Sequence, residues 1–278
     1  MVTTTDRELM DTNQQGWNKL AVANVNSSYY ELDTFRQGRS SLRSLEKETV
    51  GDVEGRKLLH MQCHIGLNAI SWARLGANVT AVDFAQEALE IGRDLARHLE
   101  VDNIEFVHSN VFDLPKNLDA EGQFDIIYTD YGVLSWLPDL NEWAKVIAHF
   151  LKPGGAFHLV EIHPILGAFE EVDGQLRPRS ELFKQGPTGI EISATYGDGI
   201  DGAPEVEMLT EYSWPWNVSK VVTALLKAGL RIEAMREVPV DCRQRFSVMV
   251  PDAAEEGCWR IPGDPLPLSV SCTAVKPA

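Results

Sequence analysis

The chain has 278 residues, of which 44% are hydrophobic and 8% aromatic, and 41 Asp and Glu outnumber 25 Lys and Arg, so the formal net charge is −16. This length and composition favour one large folded domain, or one domain with an insertion, and argue against intrinsic disorder. The excess of negative charge disfavours nucleic acid and anionic membrane surfaces as partners, which leaves a small molecule as the expected ligand.

Strand and helix patterns alternate along the chain from residue 57. Runs rich in apolar and β-branched residues predict strands at 57–62, 78–83, 104–108, 124–129 and 156–163. Helical periodicity between these runs predicts helices that end at Gly76, span 85–100 and span 140–151. Because each crossover must bury an apolar stripe, this order predicts a parallel sheet with helices on both faces.

The pattern changes after residue 163. Residues 164–211 are rich in Gly and Pro and predict an irregular insertion with a hairpin around Glu191–Tyr196. A helix at 217–228 follows, and strands at 232–238 and 268–274 are expected to pair at the sheet edge. The predicted fold class is α/β: a doubly wound, mostly parallel seven-stranded sheet with an antiparallel closing hairpin and helices on both faces.

The N-terminus and the cysteines bear on location and metals. The first residues, MVTTTDRELMDTNQQGW, lack a basic segment followed by an apolar one, and no apolar run of about 18 residues occurs. We therefore expect a cytoplasmic protein with no membrane partner. The four cysteines form no CxxC pair, and the histidines that flank Cys63 in HMQCH read as a strand entering a turn, so no metal site is predicted.

The turns after the predicted strands suggest a cofactor. Ligands of open parallel sheets bind at the carboxyl ends of the strands, and Asp83 lies there, twenty residues after Cys63, where it could accept both hydroxyls of a ribose. A helix N-cap is the alternative role for Asp83. The first turn has one glycine, Gly66, instead of G-x-G-x-x-G, so no pyrophosphate cradle is expected. S-adenosylmethionine, which has no phosphate, fits this turn better than a dinucleotide.

At this point a family resemblance can be stated. Residues 57–163 resemble the class I S-adenosylmethionine-dependent methyltransferases, in their small-molecule branch, through five segments: KLLHMQCHIGLNA, VTAVDFAQEALEIGR, NIEFVHSNVFDLP, FDIIYTDYGVLSWLPD and LKPGGAFHLVE. The chain departs from the common pattern at His60, at Gln62 and His64 in place of two glycines, and at Asn110 in place of an acid.

The resemblance implies a cofactor site and a division of the chain. The implied cofactor-binding residues are Gln62, Cys63, His64, Gly66, Asn68, Asp83, Phe84, Asn110, Val111, Phe112 and Thr129. Among them, the backbone of Gln62, Cys63, Gly66 and Thr129 would contact the methionine tail. Phe84 would stack on adenine, and the Asn110 carbonyl would accept from the adenine amino group unless it forms a turn. The implied segments are an N-terminal helical lid (1–50), an S-adenosylmethionine-binding Rossmann-like core (51–163), an acceptor cap (164–216) and the C-terminal part of the core (217–278).

The chemistry of methyl transfer suggests further residues. Positioning and exclusion of water carry most of an in-line displacement, and a base is needed only for an acceptor that arrives protonated. His163 is the candidate base because it ends the fifth strand, and an exposed structural histidine is the alternative. Aromatic residues expected at the substrate pocket, with core packing as their alternative, are Tyr29, Tyr30, Tyr131, Trp136 and Trp214.

The predicted function is methyl transfer to an O, N or S nucleophile of a small molecule, with a homodimer left open. A noncatalytic S-adenosylmethionine-binding scaffold is the alternative, followed by a nucleotide-dependent oxidoreductase on the same sheet. Residues 161–211 hold eleven acidic and three basic residues, half of the net charge. This segment either covers the acceptor, where it would disfavour anionic substrates, or is a solvated surface.

Overall fold

The computed structural model describes residues 2–25, 27–179, 183–194 and 205–278. Helices are α1 (Thr4–Asn24), α2 (Leu32–Arg36), α3 (Ser44–Val50), α4 (Leu67–Arg74), α5 (Gln86–His98), α6 (Leu114–Asn117), α7 (Leu140–Phe150) and α8 (Val218–Lys227). Strands of the main sheet and its connections are β1 (Lys57–Met61), β2 (Asn78–Asp83), β3 (Ile104–His108), β4 (Phe124–Asp130), β5 (Leu151–Ile162), β6 (Phe169–Val172), β7 (Gln175–Pro178), β8 (Thr188–Ala194), β9 (Glu205–Ser213), β10 (Arg231–Val238), β11 (Val250–Pro251), β12 (Trp259–Arg260) and β13 (Ser269–Val275). Short 3-10 helices occur at Ser28–Tyr30, Leu134–Trp136 and Pro164–Ala168.

The main sheet has seven strands in the order β10-β13-β5-β4-β1-β2-β3. The strands β3, β2, β1, β4 and β5 run parallel, and β13 pairs antiparallel with both β5 and β10. This topology confirms the predicted fold class. The strand order reverses between β1 and β4, which places the switch point of the sheet at the ends of these two strands.

Side chains of neighbouring strand positions pack on opposite faces of the sheet. Leu58 and Ile126 join one buried cluster with Trp72 of α4, whereas Leu59 and Ile127 join a second cluster with α7 and α8. Successive side chains of a strand point to opposite faces, so strands covered on both faces need apolar residues at every position. This requirement explains the unbroken apolar runs from which the strands were predicted.

The N-terminal segment packs against the insertion and is hydrogen-bonded to it. The helix α1 begins with a capping box between Thr3 and Asp6, and it packs against α5 and β9. Buried Asn13 donates from Nδ2 to the Tyr212 carbonyl at 2.7 Å and accepts from the Tyr212 amide at 2.8 Å. These two hydrogen bonds attach the backbone of β9, in the β8–β9 hairpin, to the side of α1.

The insertion contains more regular structure than its composition indicated. The predicted hairpin is formed by β8 and β9, although Tyr196 and the turn lie outside the described residues. Two further hairpins were not predicted: β6–β7, also in the insertion, and β11–β12, in the C-terminal part of the chain. Their strands have two to four residues, which is too short for a clear periodic signal in the sequence.

Two glycines allow α5 and the turn after β1 to approach the ring of Phe106. A methyl group added at Gly66, whose φ is +74°, would lie 2.7 Å from Phe106 Cε1. A methyl group at Gly92 of α5 would lie 2.7 Å from the same atom and 3.0 Å from the Ile65 carbonyl oxygen. Both contacts are closer than side-chain atoms tolerate, so these positions require glycine.

We expect Gly92→Ala to lower the free energy of unfolding by about 1–3 kcal/mol, because the added methyl must displace Phe106 or the turn. Gly16→Ala in α1 is the matched control, since a methyl there meets nothing within 4 Å. This control should raise stability by about 0.5–1 kcal/mol through helix propensity. Chemical denaturation of both variants tests the pair, and equal effects would contradict the packing argument.

Candidate active site

A cavity of about 690 Å³ lies at the carboxyl ends of β1, β2 and β4, within the usual range of roughly 300–1,000 Å³ for small-molecule sites. The N-terminal segment and residues 242–256 complete its wall. The predicted residues that line this cavity are Gln62, Cys63, His64, Asn68, Asp83, Phe84, Asn110, Val111, Tyr29, Tyr30, Tyr131 and Trp136. The structure therefore brings together residues from all four predicted turns and from the N-terminal segment.

The turn after β1 has an alternating backbone that Asp83 holds in place. Gln62, His64 and Gly66 have φ values of 61°, 52° and 74°, a region that glycine adopts most easily. The His64 amide donates to Asp83 Oδ2 at 2.8 Å, and the Ala85 amide donates to Oδ1 at 2.9 Å. Burial raises the pKa of Asp83 despite these amides. Each carboxylate oxygen keeps a second lone pair that can accept a ligand hydroxyl.

The end of the cavity beyond β2 and β3 is formed by Phe84, Asn110 and Val111. The Phe84 carbonyl accepts from Gln14 Nε2 at 2.5 Å and from His108 Nε2 at 2.9 Å, which fixes the backbone beside the half-buried ring. Asn110 Oδ1 accepts from the Phe112 amide at 3.0 Å. Asn110 thus makes the turn that the sequence offered as its alternative role, and only one oxygen lone pair remains for a ligand.

A buried polar cluster borders the cavity at the end of β4. Asp130 accepts hydrogen bonds from His60 Nε2 at 3.0 Å, from the Tyr128 hydroxyl at 2.9 Å and from the Asn68 amide nitrogen. The Asn68 oxygen accepts in turn from Ser41 Oγ at 2.5 Å. Burial would raise the pKa of Asp130, but the charge and hydrogen bond of His60, with the other donors, lower it overall. Asp130 therefore presents an ionised carboxylate to the cavity.

Three predicted cofactor residues lie outside the cavity wall. Thr129 faces away from it, and its hydroxyl donates to the Met61 carbonyl at 3.0 Å; Asp130, one position further, faces the cavity because strand side chains alternate. Gly66 serves the turn and the contact with Phe106. Phe112 packs against the cluster that includes α7. The side chains of Thr129 and Phe112 therefore do not line the cavity, and the backbone contacts that the resemblance implies for Gly66 and Thr129 stay predictions.

The predicted base and one predicted pocket residue also lie elsewhere. His163 is buried, its Nε2 contacts Glu237 Oε1 at 2.9 Å, and its Nδ1 accepts from the Ile165 amide at 3.1 Å. Both ring nitrogens are occupied and the residue is absent from the cavity wall, so His163 is not placed to act as the base. Trp214 is buried outside the wall, with its amide donating to the Ser135 carbonyl at 2.8 Å.

The loop after β4 is fixed by a second buried carboxylate. Glu161 accepts from the amides of Gly132, Val133 and Leu134, the last two at 3.0 and 3.2 Å. Burial raises the pKa of Glu161 to about 7, and the amides act in the opposite direction. This loop follows Tyr131, which has φ +24°, so Glu161 supports the unusual backbone that turns Tyr131 into the cavity.

The wall beyond the polar cluster contains a glutamate that the sequence analysis missed. Glu46 of α3 is 1% exposed, and its Oε2 accepts from the Tyr131 hydroxyl at 3.1 Å. Its Oε1 is buried and has no hydrogen-bond partner among the residues that the structure describes. Burial raises the pKa of Glu46 to about 7. A signal existed, because Leu42, Glu46 and Val50 are spaced four apart and form one buried stripe.

The remaining wall comes from the C-terminal part of the chain more than from the insertion. Cys242, Arg243 and Arg245 line the cavity, whereas Glu211 is the only described residue of 164–216 that does so. Burial raises the pKa of Glu211 to about 6. The N-terminal segment and residues 242–256 thus contribute more of the described cavity wall than the predicted cap does, and the role of residues 164–216 as an acceptor cap stays a prediction.

Sequence comparison identifies the domain that holds this cavity. Residues 58–155 match the family described as "Methyltransferase domain". A ubiquinone biosynthesis O-methyltransferase of Acinetobacter baumannii (strain ACICU) is 34% identical over 108 residues, which are 39% of this chain and 44% of the relative. A demethylmenaquinone methyltransferase of Clavibacter sepedonicus is 32% identical over 142 residues, or 49% and 54% of the two chains. The chain spans about half the length of the curated relatives it matches.

Structural comparison extends the likeness to most of the chain. A putative S-adenosylmethionine-dependent methyltransferase from Listeria monocytogenes superposes with a TM-score of 0.59 and 16% identity, over 84% of this chain and 96% of the other. Residues 58–155 therefore resemble a methyltransferase domain, and the chain shares its fold with this S-adenosylmethionine-dependent methyltransferase.

Among the residues that the structure describes, the helices are too short or too polar to span a bilayer. Within the same part of the chain, no group of three or more His, Cys, Asp or Glu side chains could hold a metal ion.

Glu46→Gln should change how stability depends on pH. The folded-state pKa of Glu46 is about 7 and its ordinary value is 4.5, so between these values the folded chain binds more protons than the unfolded chain. The stability contributed by Glu46 is complete below about pH 4.5 and is lost as the pH rises through 7. The free energy of unfolding of the variant, minus that of wild type, should increase by roughly 3 kcal/mol from acid to about pH 8.

Urea denaturation at several pH values measures this difference. Only the difference is informative, because burial lowers the pKa of His64 and His158 to about 4 and makes both proteins more stable as the pH rises. Exposed Glu48 on the same helix provides the control, and the difference for Glu48→Gln should be flat. A flat difference for Glu46→Gln would show that this carboxyl is not the buried titrating group.

Proposed function

We propose that the protein transfers a methyl group from S-adenosylmethionine to an oxygen, nitrogen or sulfur nucleophile of a small molecule. The observation that carries this proposal is one cavity with two unlike halves, at the switch point of a methyltransferase fold. Asp83 and Asp130 face the half at the ends of β1, β2 and β4, and Arg43, Glu46 and residues 242–245 line the other. We assign the first half to the cofactor and the second half to the acceptor.

The residues present fit S-adenosylmethionine. Two buried atoms of the cofactor half, Gln62 Oε1 and His64 Nε2, have no hydrogen-bond partner within the described chain, and a polar ligand would supply partners. The Asp83 carboxylate suits ribose hydroxyls, and the buried Asp130 carboxylate suits an ammonium group, which S-adenosylmethionine has and a nicotinamide dinucleotide lacks. This chemistry supports S-adenosylmethionine over a nicotinamide cofactor.

When bound, S-adenosylmethionine supplies a methyl group on a positively charged sulfur that becomes neutral as the methyl leaves. The chain must then position the acceptor and exclude water. Aromatic residues surround the middle of the cavity: the Trp17 ring lies 5.4 Å from His64 and 5.3 Å from Trp136, and Tyr30 stacks on His64 at 5.7 Å. We infer that this cover shields the transfer and that its ring faces favour the sulfonium.

The proposed acceptor is a small molecule, and we propose neither nucleic acid nor a membrane as a partner. The names of the relatives indicate quinone-pathway compounds for those proteins, and the O-methyltransferase among them makes oxygen the first nucleophile to test here. Cytoplasmic location and homodimer formation stay predictions. A cofactor-binding scaffold without turnover is the competing function.

Asp83→Ala is expected to weaken S-adenosylmethionine binding by about 1–3 kcal/mol, or roughly 5- to 150-fold, through loss of charge-assisted bonds to the ribose. Asp83→Asn keeps one acceptor oxygen and should show a smaller loss. Isothermal titration calorimetry with S-adenosylmethionine and NADH measures both variants.

Asp94→Asn, on the exposed side of α5, is the control and should bind like wild type. Circular dichroism checks that each variant folds, because Asp83 also holds the turn after β1. Binding of NADH without S-adenosylmethionine would contradict the assignment. Cofactor binding without turnover on phenols, amines and thiols would favour the scaffold.

A further inference from the structure

Tyr131 and Glu46 form a buried hydrogen-bonded pair in the acceptor half. Tyr131 lines the cavity, and its hydroxyl donates to Glu46 Oε2 at 3.1 Å. Glu46 is buried, and its other oxygen has no hydrogen-bond partner in the described chain. An uncompensated carboxylate in this position is costly unless the group takes up a proton or is needed for function.

The backbone at Tyr131 adopts an unfavourable conformation that directs its side chain toward Glu46. Its φ is +24°, rare for a residue with a side chain, and its amide donates to the Val160 carbonyl at 2.9 Å. The Glu161 carboxylate accepts hydrogen bonds from the amides of Gly132 and Val133, which follow Tyr131. Strained backbone that the surroundings maintain is typical of functional sites.

A cation lies beside the pair. Arg43, three residues before Glu46, lines the same cavity, and its Nη1 donates to the Glu256 carbonyl and to Cys258 Sγ, both at 3.2 Å. No ion pair of Arg43 with a carboxylate occurs among the described residues, whereas Arg39 pairs with Glu31 at 2.8 Å. The Arg43 guanidinium can therefore interact with negative charge that develops on a ligand.

We propose that Tyr131 and Glu46 remove the proton of the acceptor while Arg43 stabilises the resulting oxygen, so that the acceptor is a small molecule with a weakly acidic hydroxyl, a phenol or an enol. This inference rests on the proposed function and narrows its substrate class.

The step balances as follows. The acceptor O–H bond breaks, its proton passes to Tyr131 Oη, and the Tyr131 proton passes to Glu46 Oε2. The oxygen lone pair forms the new C–O bond while the C–S bond breaks and its electron pair stays on sulfur. The products are a methyl ether, S-adenosylhomocysteine and a protonated Glu46, which then loses its proton to solvent.

The surroundings of Glu46 suit this role. The titratable groups that face it are Asp130 and Tyr128 on β4, Tyr131 after it, Arg43 at the start of α3, His158 on the same face of β5, and Cys242 and Cys258 from the C-terminal part. Burial is the main influence and raises the pKa of Glu46 to about 7, with a further increase from Asp130. A base with a pKa near neutrality combines correct protonation with driving force for proton transfer.

The test uses 4-nitrophenol as a chromogenic probe, bound to the protein in the presence of S-adenosylhomocysteine. Absorbance of the phenolate, followed against pH, gives the pKa of the bound probe. We expect a value at least about one unit below that of the free probe in wild type, a tenfold change in proton affinity. Arg43→Gln should bring it back toward the free value, because the positive charge is removed. At about pH 8, binding of the phenolate beside Glu46 should take up close to one proton in wild type and close to none in Glu46→Gln, and Tyr131→Phe, which breaks the link to Glu46, should lower the uptake. Calorimetry in buffers of different ionisation enthalpy measures this uptake.

Glu48→Gln, exposed on the same helix, is the control and should match wild type. Calorimetry with S-adenosylhomocysteine should give affinities within about twofold for all variants, since none removes a cofactor contact. Failure of every protein to bind S-adenosylhomocysteine would refute the proposed function itself. Intact cofactor binding with no probe binding, or with a proton uptake that Glu46→Gln leaves unchanged, would overturn the inference alone.

Discussion

The Asp83 carboxylate joins the turn after β1 to the turn after β2, and the cofactor half of the cavity depends on this contact. The His64 and Ala85 amides both donate to it. Gln62 and His64 have left-handed backbone conformations without being glycine, at a cost of roughly 1 kcal/mol each, which charge-assisted hydrogen bonds can offset. The His64 amide, directed at Asp83, is also lost as a donor to phosphate. The same bond that shapes the turn thus selects against a pyrophosphate ligand.

The location of the proposed acceptor half depends on the face of the sheet on which Asp130 lies. Tyr128 and Asp130 share the side of the sheet covered by α3 and α4, so the cavity extends from the end of β4 toward α3. Glu46 reaches it from that helix, and Glu161 holds the loop that carries Tyr131. The helix α3 therefore supplies the buried Glu46 carboxylate, and the end of β4 supplies the Tyr131 hydroxyl that donates to it. The two halves of the cavity meet at the polar cluster around Asp130.

The sequence predicted the sheet well because its strands are buried on both faces. The predicted bounds of the second and third strands agree with β2 and β3, and Asp83, Phe84 and Val111 line the cavity as predicted. The sequence analysis missed Asp130, whose side chain lines the cavity one position after Thr129, because a single position decides the face of a strand. His163 failed for another reason: its partner Glu237 lies 74 residues away, and local patterns carry no information on that pairing.

Net charge was a poor guide to the acceptor half because electrostatic effects depend on distance and burial. The insertion carries many of the acids, and Glu170, Asp173, Glu191 and Glu207 are exposed, so salt screens them beyond about 8–10 Å. Arg43 lies in the cavity wall, where charges are screened less and interact more strongly. Its guanidinium, with no ion-pair partner in the described chain, lies closer to the cavity than these exposed acids do. The proposed stabilisation of an oxyanion therefore depends on the charges that line the cavity, Arg43 among them, and not on the net charge of −16.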